Sequence, residues 1–274
     1  MNSGTAGSTG SPDNVKPGED QTLEQNDETN LVTRAQELIA AADNRDVPLR
    51  LVGSVAFRLL TDNQQRHAET FDRELGDIDL VGRKEDTEVV REVLEDHSYQ
   101  IDKDLLLAGW GDRYVFYADD HEIDVFFGDL SMCHELPLSG RLTIGENPYT
   151  VTPADLLLEK AQIVEITEKD LKDLTLILLE CPLTDDETGV NREHIANLLA
   201  IDWGFYHTVS TNLDKLEAYL DSAPIDNSER ETVRDRIADL RRTIEEEPKT
   251  LRWQLRSMIG ERLAWYNEVE EKHR

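Results

Sequence analysis

This sequence has few cysteines, few lysines beside its arginines, and no long apolar run. Its two cysteines, Cys133 and Cys181, form no metal-ligand spacing, and disulfide use is not expected in a chain of 274 residues. No apolar run approaches the ~20 residues that span a bilayer, which argues against a membrane protein. The N-terminus lacks a charged segment followed by an apolar one, so no secretory signal is read and a cytoplasmic location is expected by elimination. Arginines outnumber lysines, and Asp plus Glu outnumber Lys plus Arg by 58 to 29, for a formal net charge of -29. The acids are spread along the chain rather than packed into a tail. That pattern points to adaptation to high salt, where short Debye lengths screen self-repulsion; an ordinary acidic cytosolic protein is the alternative. Such a charge argues against a sequence-blind nucleic-acid coat but leaves room for a local basic groove.

What is present divides into three stretches. Residues 1–29 are Gly-, Ser-, Thr- and acid-rich with few apolar side chains, too few to offset the entropy of ordering, and are expected to be disordered. From Leu31 the spacing of Leu31, Ala35, Leu38, Ile39 and Ala42 predicts a helix that ends before Pro48. LRLVGS reads as a buried strand running into a Gly53-Ser54 turn and a short helix. GDIDLVG reads as a second strand, followed by a helix over 85–97 and then the strands YQIDKD, DRYVFYAD and HEIDVFF, the last two joined at Asp119-Asp120. Thr152-Pro153 is a helix start, with the helix continuing through ADLLLEKAQIVEI. Only helices are predicted after that, over 168–181, 191–200, 203–221, 227–246 and 249–271. The fold class is therefore α+β: a mixed sheet flanked by helices over residues 30–165, then an all-helical half over 166–274.

Asp77 and Asp79 stand two apart on a strand, so both point to one face while Ile78 and Leu80 hold the other. Carboxylates that close repel unless a cation lies between them, and Mg²⁺ with a triphosphate is the common solution. Asp124 in EIDVFF is a third acid on a strand that can lie alongside. Three such carboxylates can hold two Mg²⁺ ions (Mn²⁺ is the substitute), one activating a hydroxyl and one stabilising a pyrophosphate leaving group. Gly53 and Ser54 open a helix after a buried strand, where small residues let backbone and hydroxyl donors approach a phosphate; a tight turn without a ligand is the plainer reading.

The ordered set, Gly53-Ser54, then Asp77 and Asp79, then Asp124, resembles the nucleotidyltransferase superfamily that includes DNA polymerase β. Arg73, four residues before Asp77, matches the R-x-x-x-D-h-D version, which resembles the AbiE-type toxin nucleotidyltransferases; so do PADLLLEKAQI (153–163) and EKDLKDLTLIL (168–178). The resemblance covers about residues 49–180. It implies a nucleotide site in which Lys160 contacts the phosphates and Asp170 or Asp173 serves the far side. It also implies transfer of a nucleoside monophosphate from an NTP to a hydroxyl on RNA (tRNA included), protein or a small molecule, and an antitoxin as partner. The alternative is a degenerate fold that binds a nucleotide or a partner without catalysis.

Other features have plain readings. Lys160 is either a surface lysine or a site residue, and Asp170 and Asp173 share a helical face where Lys169 and Lys172 can pair with them. His134 beside Cys133 is expected to pack in the core or bond a loop, and the aromatics of DWGFYHTV to form core. The arginines from Arg230 to Arg262 are expected to pair with interleaved glutamates rather than to line an RNA groove.

Overall fold

The computed structural model describes residues 17–60, 70–71, 75–102, 112–118 and 121–268, with side chains described from residue 30 onward. Helix α1 spans Pro17–Asp43. The stripe Leu31, Ala35, Leu38, Ile39 and Ala42 is buried, as its spacing predicts. The helix starts well before Leu31, so residues 17–29, expected to be disordered, are helical; residues 1–16 lie outside the described residues. It stops where Asp46 takes a left-handed conformation (φ 59°) and the Val47 N–H reaches back to the Ala42 carbonyl at 3.1 Å, a closure that usually uses glycine.

Five strands form the main sheet: β1 (Leu49–Val52), β2 (Ile78–Gly82), β3 (Gln100–Ile101), β4 (Arg113–Ala118) and β5 (His121–Phe127), in the order β1-β2-β5-β4-β3. The β2–β5 pair is parallel and the other three pairs are antiparallel. The β4–β5 hairpin pairs Ala118 with His121, and its turn lies outside the described residues. Residues 149–151 run along the free side of β1, with the Leu51 N–H bonded to the Tyr149 carbonyl at 2.8 Å and the Val151 N–H to the Leu51 carbonyl at 3.1 Å. Two-residue strands β6 (Leu130–Ser131) and β7 (Glu135–Leu136) pair in the long segment after β5.

Helix α2 (Gly53–Leu60) packs on β1 and β2, and α3 (Thr87–Asp96) packs against α1. Helix α4 (Pro153–Ala161) has Thr152 as its N-cap, accepting from the Asp155 N–H, with Pro153 at the first position. It ends five residues before the predicted stop. Asn212 Nδ2 bonds the carbonyls of Ala161 and Ile163 at 2.9 and 2.7 Å, which satisfies the last turn and lets the β-branched Ile163-Val164 pair leave the helix.

The second half is helical, as predicted: α5 (Glu168–Glu180), α6 (Arg192–Leu199), α7 (Trp203–Tyr219), α8 (Asn227–Glu246) and α9 (Leu251–Ile259). A two-residue parallel pair, β8 (Leu183–Thr184) with β9 (Val190–Asn191), interrupts it, which the pattern of side chains did not announce. One continuous apolar core runs from Leu31 to Ile244, through both halves. Among the described residues no helix is long and apolar enough to cross a membrane.

Arginines in the last third close helix ends. Arg236 Nη1 donates to the carbonyls of Leu178, Leu179 and Cys181 at the end of α5, and Arg230 donates to those of Leu220, Ala223 and Ile225 after α7. A cation there meets orphan carbonyls and the negative end of the helix dipole. Arg234 pairs with Asp221, and Arg241 with Asp214 and Glu217, so the expected local pairing gives way there to partners outside α8, while Arg242 keeps a local one, Asp239. His134 is buried, stacked on Phe205 and 2.8 Å from Thr208 Oγ1, the core role expected for it.

Candidate active site

The parallel register of β2 and β5 sets Asp79 directly opposite Asp124. Both sides of each strand are apolar and buried around them: Ile78, Leu80, Ile123 and Val125 are fully covered. Asp77 immediately precedes β2 and is partly exposed, as is Asp79, while Asp124 is only 4% exposed. The strand pattern thus carries two acids to one row of the sheet and a third to its lip.

Gly53 is the hinge from β1 into α2, and two facts require glycine there. Its φ is +67°, and a Cβ would stand 2.2 Å from Asp79 Oδ2. The α2 N-terminus therefore abuts the carboxylate row. Ser54 Oγ accepts the Gly76 N–H at 3.0 Å, tying that N-terminus to the segment that leads into Asp77, and keeps its own proton to donate.

Helix α4 supplies a residue that the sequence reading missed. Glu159 is buried, and its Oε2 accepts the Gly53 N–H at 3.0 Å. Lys160 follows it, with only 16% of its side chain exposed, and so is not the surface lysine of the plain reading. Its Nζ lies 3.4 Å from Glu159, 3.9 Å from Asp170 and 3.9 Å from Asp173, and 5.7 Å from the Phe57 ring centre. Asp170 and Asp173 thus turn to Lys160 rather than to Lys169 and Lys172; Lys172 pairs with Glu168, and Asp170 also completes a capping box with Thr167. Arg73, the remaining predicted site residue, lies outside the described residues.

Electrostatics follow from this crowding. Asp79 is pushed up from 3.8 to about 8, first by burial and then by the carboxylates of Glu159, Asp124 and Asp77, with Lys160 opposing them. Burial alone would lower the Lys160 ammonium, but Glu159, Asp173, Asp170 and Asp79 outweigh it and hold the group well above its ordinary range. Lys160→Met removes the ammonium that Glu159, Asp170 and Asp173 share, which is expected to cost about 3 kcal/mol. Urea unfolding of the two proteins side by side checks this.

Arg113 on β4 reaches across to Asp124. Its Nε donates to Oδ1 at 3.1 Å and its Nη2 to Oδ2, so both oxygens of the third acid are engaged, and Phe126 backs the guanidinium at 5.6 Å. Among the described residues no three His, Cys, Asp or Glu side chains form a set that would hold a metal ion unaided. The donor set fits a different demand. Asp77 and Asp79 offer hard oxygens at an accessible lip, and the displaced Asp79 marks a place where a cation relieves repulsion. Mg²⁺ commonly takes one or two carboxylates and draws its remaining ligands from water and phosphate.

No family model and no curated protein matches the chain. Two solved structures are similar to it in part. The solution structure of the antibiotic-resistance factor ANT(2'')-Ia matches at 16% identity over 54% of this chain and 83% of that one, with a TM-score of 0.41. The crystal structure of ANT(2'')-Ia in complex with adenylyl-2''-tobramycin matches at 15% identity over 53% and 86%, with a TM-score of 0.38. At that similarity neither assigns a chemistry to this chain, and its own side chains carry the argument.

Proposed function

We propose that the chain is a divalent-metal-dependent nucleotidyltransferase that moves a nucleoside monophosphate from an NTP to a hydroxyl. The observation that carries this reading is the Gly53 turn placed against Asp79, itself paired in register with Asp124. That arrangement puts anion donors and cation ligands within one triphosphate's reach of each other.

In this reading Asp77 and Asp79 hold Mg²⁺, or Mn²⁺ in its place. The ion supplies charge neutralisation on the triphosphate and on the leaving pyrophosphate. Glu159 occupies the Gly53 amide, so the following amides of α2 and the Ser54 hydroxyl meet the phosphates. The acceptor oxygen bonds to the α-phosphorus, the bond from that phosphorus to the bridging oxygen breaks, and the hydroxyl proton passes to Asp124 or to water. Lys160, already clasped by three acids, fixes α4 and α5 around the turn rather than reaching for phosphate. The acceptor is RNA, protein or a small molecule. A toxin role, with an antitoxin as partner, follows the AbiE-type sequence pattern. The even acidic excess suits a saline cytoplasm.

The test is incubation of the full chain with α-labelled NTPs and Mg²⁺ in molar KCl. Pyrophosphate release is expected from the wild type and only background from Asp77→Asn with Asp79→Asn. A wild type that neither binds an NTP nor releases pyrophosphate sinks the reading. The Arg113 clasp on Asp124 favours the second reading, a non-catalytic nucleotide- or partner-binding module. Saturable NTP binding with no turnover in the same buffer would select it.

A further inference from the structure

Helix α9 is amphipathic with its apolar stripe turned outward. Leu251 is 78% exposed, Leu255 62%, Met258 70% and Ile259 40%, at the i, i+4, i+7 and i+8 positions of one face. The stripe is continuous with two further exposed side chains. Ile201 adjoins its start, because the Thr250 N–H bonds the Ala200 carbonyl at 3.1 Å; Leu263 adjoins its end, where Arg256 Nη2 bonds the Leu263 carbonyl at 2.9 Å. Beside it lies a groove of about 520 Å³ walled by Trp203, Trp253 and Tyr266. Single exposed leucines are ordinary, but six large apolar side chains in one patch mark an interface.

We infer that this patch is the contact between two copies of the chain. Three observations select a second copy. Six side chains at this exposure offer on the order of 700 Å² per copy, close to the ~800 Å² per partner of a standard interface. The segment is also basic in a chain of charge -29: Arg252, Arg256 and Arg262 outnumber Glu261 there, so two copies can meet without facing acid with acid. Finally, the stripe is self-complementary. A two-fold axis beside the middle of α9 lays Leu255 of one copy on Met258 of the other and Arg252 opposite Glu261, the isologous arrangement of common dimers.

Sedimentation velocity of the full chain tests this. A dimer is expected in molar KCl at about 100 µM, weakening by at least tenfold in Kd as salt falls and self-repulsion returns. Leu255→Glu with Met258→Glu should sediment as a monomer with an unchanged circular dichroism spectrum and, at dilutions where the wild type is monomeric too, an unchanged Tm, because both side chains are already exposed. Ile144→Glu, at an exposed apolar side chain outside the patch, should leave the dimer intact. A wild type that stays monomeric in both salts overturns the inference and leaves the patch to a different protein. So does a dimer indifferent to the double substitution.

Discussion

Asp79→Asn is expected to abolish nucleotidyl transfer and, in the same molecule, to raise the stability of the metal-free protein at pH 8. The two effects share one cause. Asp79 stands among Glu159, Asp124 and Asp77 and is displaced from 3.8 to about 8. A carboxyl with a raised folded-state value costs nothing below about pH 4, where it is protonated folded or unfolded. The cost grows as pH climbs to about 8, and it stays at its full value above that. Each pH unit of displacement is about 1.4 kcal/mol, so the full penalty is several kcal/mol. Asparagine carries no charge, so its Tm advantage over the wild type should be absent near pH 4 and largest near pH 8. Mg²⁺ should narrow that gap by stabilising the wild type alone. Activity should fall by about a thousandfold, or about 4 kcal/mol of transition-state stabilisation. A variant that is less stable than the wild type at pH 8, or that keeps its turnover, would refute the account of this side chain.

Gly53→Ala should damage both stability and turnover with a single methyl group. The left-handed backbone costs about 1–2 kcal/mol for any residue with a Cβ. The new carbon would stand 2.2 Å from Asp79 Oδ2, so the carboxylate must turn away from the lip it shares with Asp77. We expect a loss of about 2–3 kcal/mol in urea unfolding and at least a hundredfold loss in turnover. A double-mutant cycle separates the two causes. In an Asp79→Ala background the carboxylate is gone and only the Cβ at 3.2 Å remains near the new carbon, so Gly53→Ala should then cost little beyond the backbone strain. Equal costs in both backgrounds would mean that the turn and the carboxylate are not in contact.

Much of this was legible in the chain because the signals are local. Alternation in GDIDL, the turn residues at Gly53-Ser54 and the Thr152-Pro153 start each depend on neighbours in sequence. What was hidden depends on partners far away. Glu159 reads as the polar side of an amphipathic helix until α4 is seen packed on α2, α5 and α7, where its carboxylate meets the Gly53 amide, 106 residues back. Asp170 and Asp173 had lysines beside them in sequence, yet the half-buried Lys160 on the preceding helix meets both. Arg113 gave no sign of its hold on Asp124, because strand order decides which cation meets which acid. The last helix was drawn too long for a local reason: Gly260, at φ +60°, ends it at Ile259.

The borders of the sheet have a consequence for solubility. In dilute buffer a charge of -29 keeps copies apart, but concentrated salt removes that protection, and exposed strand edges then invite aggregation. This sheet offers little to such pairing. One border, β1, is already bonded to residues 149–151, and the other, β3, is two residues long. When salt silences the charges, backbone-to-backbone adhesion between sheets finds almost no template, and side-chain contacts are left to decide which molecules meet.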